Sequence, residues 1–122
     1  MASKLPSVSL VMDGISPSLE RYLDTVSLRQ KLVSSNIANA DTPGYKTQDV
    51  DFQASFQSVL DGGSPRTIEV KGLSVKNDGN NVDLDREARL LAENALRFSV
   101  ASNLVKGQIQ QIREAIKEGP SS

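Results

Sequence analysis

Apolar residues recur near the start of the chain at Leu19, Leu23, Val26, Val33, Ile37 and Ala40, in steps that alternate four and three, and Gln30 holds the one polar position in that series. This is the stripe of an amphipathic, heptad-type helix. Ser16-Pro17-Ser18 supplies its start, since Ser caps a helix well and Pro suits the first turn. Thr42 precedes Pro43 and so disfavours helical backbone, which ends the helix at or before it. Pro43-Gly44 fits the centre of a type II turn, where Gly supplies a positive φ. A longer stripe runs Leu84, Ala88, Leu91, Ala95, Phe98, Val105, Ile109, Ile112 and Ile116, broken only at Ser102. Asp83 caps its start, Asp85 and Glu87 complement the positive helix end, and Lys117-Glu118-Gly119-Pro120 closes it. At 1.5 Å per residue these helices are on the order of 35 and 50 Å long.

The middle of the chain follows other rules. Phe52, Phe56 and Leu60 are spaced for a short helix, broken by Asp61-Gly62-Gly63-Ser64-Pro65. Thr67 to Lys71 alternates like a strand. Its expected partner is Leu73 to Lys76, with the reversal at Lys71-Gly72. Asp78-Gly79-Asn80-Asn81 is a turn cluster. The sequence therefore predicts a mainly α protein: two long terminal helices forming a coiled-coil-like hairpin, with an irregular middle segment carrying a short helix and a small β-hairpin. The expected divisions are a flexible segment 1–15, a helix within 16–42, the middle 43–82, a helix over 83–118 and a tail 119–122.

One stripe from each helix can be buried against the other. Leu28, Leu32, Leu90, Leu96, Val100 and Leu104 then lie on adjacent faces, and the last three form a strip of their own. Each fully buried aliphatic is worth roughly 1.5 to 3 kcal/mol, so six left bare would forgo on the order of 10 kcal/mol. That equals the whole stability of many domains, and the polar middle segment cannot cover them all. The surface is expected to pack against other subunits. The competing reading is a self-contained helical adaptor that binds one partner helix through Leu96, Val100 and Leu104.

Composition removes most chemistry. The 122 residues contain no Cys and no His, which excludes thiolate nucleophiles, imidazole bases and the commonest zinc ligands together. A net charge of -1 gives no general attraction to nucleic acid. Asp49 and Asp51 are expected at a solvated strand edge or a helix cap, and no carboxylate pair, phosphate loop or calcium loop is apparent. The reading is of a non-enzymatic protein with no cofactor, no metal, no nucleic acid and no small-molecule substrate. The first twelve residues lack the apolar centre of a cleavable signal peptide. The segment Asn36, Ile37, Asn39, Ala40, Asp41, Thr42, Pro43, Gly44 and Tyr45 is the candidate assembly motif, a helix stop of fixed geometry. For Asn36 and Asn39, helix-end capping competes with hydrogen bonding to a neighbouring subunit. The candidate packing residues are Leu19, Leu23, Val26, Leu28, Leu32, Val33, Leu91, Leu96, Phe98, Val100, Leu104, Val105, Ile109, Ile112 and Ile116.

The run Leu28-Arg-Gln-Lys-Leu-Val-Ser-Ser-Asn-Ile-Ala-Asn-Ala-Asp-Thr-Pro-Gly-Tyr-Lys46 resembles the N-terminal signature of bacterial flagellar rod and hook proteins. Gln48-Asp-Val-Asp-Phe52 and the stretch from Asp78 to Phe98 narrow the resemblance to the proximal rod. The resemblance covers most of residues 18–118. It implies a structural subunit of the flagellar basal-body rod, polymerised through packed terminal helices, that transmits torque for motility. It also implies export through the flagellar type III apparatus without a cleaved signal, and a place on the periplasmic side of the inner membrane. The implied partners are further copies of the chain, the adaptor FliE, the rod protein FlgC, the distal rod proteins and the membrane ring. A FlgC-like axial component is the nearest alternative. The segment between Phe56 and Asp78 is shorter than usual for such proteins.

Overall fold

The computed structural model describes residues 16–52, 54 and 65–118. Helix α1 spans Pro17–Ala38 and helix α2 spans Leu84–Glu118. Strand β1, Gln48–Val50, and strand β2, Thr67–Glu69, form a two-stranded antiparallel sheet with Asp49 opposite Ile68. The helices pack antiparallel, with Asn36, Val26 and Ser16 bonded in turn to Glu87, Asn94 and Gln108, and the sheet lies against α1. The expected flexible segment 1–15, the tail 119–122 and most of the expected Phe52–Leu60 helix lie outside the described residues. Phe52 and Ala54 have helical backbone, and the Asp51 side chain accepts from the Ala54 amide at 3.0 Å, which makes Asp51 a cap.

Helix α1 starts as its sequence dictates: Ser16 Oγ accepts from the Leu19 amide at 3.0 Å and Pro17 occupies the first turn. It stops at Ala38, four residues short of Thr42. Residues 39–44 form successive turns, ending with the Tyr45 amide donating to the Thr42 carbonyl at 3.2 Å across Pro43 and Gly44. Gly44 has φ +76°, the conformation of a type II turn. Asp83 caps α2 by accepting from the Asp85 and Arg86 amides.

Two expectations about pairing are corrected. Residues 67–69 pair with 48–50 and not with 73–76, a long-range partnership that local alternation cannot reveal. The larger correction concerns which side of α2 faces α1. Leu84, Leu91, Phe98 and Ile116 of the apolar stripe are exposed, whereas Glu87, Asn94 and Ala101 are buried. Three residues correspond to about 60° around a helix, so α2 is rotated by that amount from the phase its hydrophobicity predicts. On α1, Val26 and Val33 are buried as the stripe requires, but Ile37 is exposed and Asn36 takes its place inside. Leu28, Leu32 and Leu90, expected to be left bare, are half-buried. Leu96, Val100 and Leu104 are exposed.

Candidate assembly site

Two stretches far apart in sequence, 35–49 and 76–87, meet in one polar corner. Its first element is the end of α1. A helix leaves its last carbonyls without partners, and α1 has no basic residue in its last turn. The 76–80 loop supplies the donors. Lys76 Nζ donates to the Ala40 carbonyl at 3.0 Å, and Asn80 Nδ2 donates to the carbonyls of Asn39 and Thr42, each at 2.8 Å. The lysine also places a cation at the negative end of the helix dipole. Asn80 is fully buried, and its Oδ1 accepts from the Val82 amide. Gly79, at φ +87°, comes so close to Gly44 that a Cβ would lie 3.3 Å from the Gly44 Cα. The Gly44 amide donates to the Asp78 carbonyl at 2.9 Å, and Lys46 Nζ donates to the Gly79 carbonyl.

Asn36 is the second element. Its Nδ2 donates to the Gln48 carbonyl at 2.8 Å and to Glu87 Oε1 at 2.7 Å. Its Oδ1 accepts from the Gln48 amide at 3.1 Å and from the Tyr45 hydroxyl at 2.9 Å. An amide has two donors and two acceptor sites, so all of its capacity is used within the chain. That corrects both readings of Asn36: it neither caps the helix end nor has a bond left for a neighbour. Asn39 does act at the helix end, since its Nδ2 donates to the Ser35 carbonyl and its Oδ1 accepts from the Thr42 hydroxyl.

The third element is a buried chain of charges that no local spacing marks. Asp49 accepts from Arg29 Nε at 3.0 Å and Nη2 at 2.9 Å, and from Arg86 Nη2 at 2.7 Å. Arg86 Nη1 in turn donates to Glu87 Oε2 at 2.7 Å, and Glu87 is 0% exposed. Two cations alternate with two anions, so no net charge is buried. Asp49 is therefore no solvated strand edge, and Glu87 does more than complement a helix dipole. Burial pushes the Asp49 carboxyl up, but hydrogen bonds from Arg29 and the Val50 amide, the Arg29 charge and the Arg86 hydrogen bond outweigh it and hold the group below its ordinary value. Phe52 closes this side, with the Arg29 and Arg97 guanidinium groups 4.6 and 5.4 Å from its ring centre. Sequence reasoning missed Arg29, Lys76, Asn80, Arg86 and Glu87 as parts of one site. The signal available was the pair of amide-rich turns, Asn36–Tyr45 and Asp78–Asn81.

Beyond the corner the character reverses. Leu84, Leu91 and Phe98 lie about 60° to one side of the buried Glu87–Asn94–Ala101 line, and Leu96, Val100 and Leu104 lie about 120° to the other. All six are exposed, from Leu91 at 39% to Leu96 at 66%. Ile109, Ile112 and Val105 are half-buried, as are Leu19 and Leu23 at the other end of α1. Val26, Ser27 and Gln30 of α1 with Asn94, Ala95 and Phe98 of α2 line an open groove of about 410 Å³. Gly107 is exposed, and a Cβ there would meet nothing among the described residues, so no close approach within them accounts for it. Among the described residues no cluster of acidic side chains is built to hold a metal, and no helix is long and apolar enough to cross a membrane.

A family model for the flagella basal body rod protein matches residues 23–46, most of α1 and the turn at the corner. The flagellar basal body rod protein FlgB of Borrelia hermsii is 32% identical over 123 residues, covering 80% of this chain and 91% of the relative. The chain belongs to the FlgB family. FlgB of Yersinia ruckeri is 29% identical over 133 residues (88% of this chain, 97% of the relative), and that of Escherichia coli K12 is 28% identical over 137 (89% and 99%). The last alignment is longer than the 122-residue chain, so the relative has stretches with no counterpart here. FlgB membership makes the chain a structural subunit of the flagellar basal-body rod, not an enzyme, which assembles with other basal-body components. For such a subunit the corner and the bare flanks of α2 are the features to explain.

Proposed function

We propose that this rod subunit uses the polar corner as a rigid joint and the two flanks of α2 as its packing surfaces. The observation that carries this reading is the inversion on α2: polar residues face α1, and leucines and a phenylalanine face out. Complete burial of the six exposed side chains would add on the order of 5 to 10 kcal/mol, since each is already partly covered. Because the flanks lie on opposite sides of one helix, a subunit can be gripped from two directions. A single partner helix, as in the adaptor reading, would cover one flank and leave the other bare.

Under this reading the neighbours are further copies of the chain and other axial proteins. The other axial partners are FliE, FlgC and the distal rod proteins, together with the membrane ring. The chain reaches the periplasmic side of the inner membrane through the flagellar type III apparatus, without a cleaved signal, and there carries torque. The Asn36–Tyr45 turn contributes by fixing the angle at which the middle segment leaves α1. Because the natural chain has no Cys, Val100→Cys offers a unique attachment point for a photocrosslinker. In isolated basal bodies it is expected to capture a flagellar axial protein or a second copy of the chain. Recovery of uncrosslinked monomer alone, from basal bodies that contain the variant, would contradict the reading.

A further inference from the structure

The line of α2 that faces α1 runs Glu87, Asn94, Ala101, Gln108 at seven-residue steps, and three of these four residues are polar. Each polar one reaches a particular atom of α1 or its start. Glu87 Oε1 accepts from Asn36 Nδ2 at 2.7 Å. Asn94 Nδ2 donates to the Val26 carbonyl at 3.0 Å and to Gln30 Oε1 at 3.1 Å. Gln108 Oε1 accepts from the Ser16 amide at 3.0 Å. These bonds are spread over most of the hairpin, with the corner at one end and the start of α1 at the other. The apolar stripe Leu84–Leu91–Phe98 has the same seven-residue period and lies about 60° away. On hydrophobicity alone, α2 would turn by that angle and bury it.

We infer that Asn94 and Gln108 are positioning residues that set the rotational phase of α2 on α1 and so hold the Leu84–Leu91–Phe98 stripe outside. The inference concerns the chain's own hairpin and stands whichever neighbours cover the stripe. Glu87 holds the phase only at the corner; Asn94 and Gln108 carry it along the rest of the seam. Asn94 itself argues for selection of a geometry over gain in stability. It is 2% exposed, and its Oδ1 is buried without a hydrogen-bond partner among the described residues. An unpartnered buried oxygen opposes folding, whereas a buried polar residue between helices is an attested way of fixing how they meet.

The chain contains no Trp, so Phe98→Trp gives a single reporter on the stripe. In the full chain carrying only this change, the indole should emit as a solvent-exposed group and be readily quenched by acrylamide. Adding Asn94→Ala with Gln108→Ala should shift the emission to the blue and lower quenching several-fold, with the far-ultraviolet helix signal retained. Adding Gln108→Glu instead, which keeps an acceptor at the same reach, should leave the indole exposed. If the alanine pair loses its helix signal, Gln108→Ala alone decides, with a smaller shift of the same sign expected. A reporter that stays as exposed and as quenchable in the folded alanine variant as in its parent would overturn the inference and leave the corner as the sole determinant of phase.

Discussion

The corner and the outer flanks of α2 obey opposite rules. At the corner, polar groups are buried and matched: Asn36 makes four hydrogen bonds, and Asp49 and Glu87 are each held by arginine. On the flanks, apolar groups are exposed, with nothing among the described residues to cover them. In a self-sufficient domain the two would be reversed. The difference assigns them separate duties. On the proposed reading, the corner settles the shape of one subunit with directional bonds that tolerate few alternatives, and the flanks hold non-directional surface whose burial is left to assembly. Substitutions at the corner should therefore lower the stability of the subunit itself and with it incorporation, and substitutions on the flanks should leave stability unchanged while incorporation is lost.

The largest loss is expected from Asp49→Ala. It leaves Arg29 and Arg86 unpaired with side chains only 12% and 18% exposed, and removing one partner of a buried ion pair costs about 3 to 5 kcal/mol. Urea unfolding of the purified chain measures it, and a loss below about 1 kcal/mol would place the charge chain outside the corner's energetics. Gly44→Val comes next. A Cβ there meets nothing among the described residues, but φ +76° disfavours a β-branched residue, at a cost of about 1 to 3 kcal/mol. Expression should persist while incorporation into rods is lost; rods that assemble and rotate normally would remove the turn from the account. A smaller effect follows from pH. The Asp49 carboxyl titrates below its ordinary value in the folded chain, so its stabilising contribution is complete above the unfolded value of about 3.9 and fades as pH falls through the lower folded value. Stability measured from pH 6 downward should show this loss below about pH 4, and Asp49→Asn should flatten that part of the profile. An unchanged profile in the variant would count against the ion pairs.

How far the sequence could be read follows from the same division. The helices were legible because their stripes are periodic, and the type II turn was legible because Pro43-Gly44 leaves few conformations. The phase of α2 was not. Leu84, Leu91 and Phe98 form a better apolar line than Glu87, Asn94 and Gln108, and only the donors and acceptors on α1 explain why the polar line turns inward. The corner's charges were hidden for a related reason: Arg29, Asp49 and Arg86 are brought together by tertiary structure across 57 residues, and no local spacing marks them. The pairing of β1 with β2 is long-range in the same sense.

The most direct test of this division is the variant Leu96→Ser, Val100→Ser, Leu104→Ser, assayed for both stability and incorporation. All three side chains are more than half exposed, and surface substitutions away from internal contacts usually change stability by no more than about 0.5 kcal/mol each. The account predicts an unfolding midpoint close to that of the natural chain, together with absence of the variant from isolated basal bodies and loss of motility in cells that depend on it. A variant that enters the rod and supports normal swimming would contradict the claim that this flank exists for neighbouring subunits.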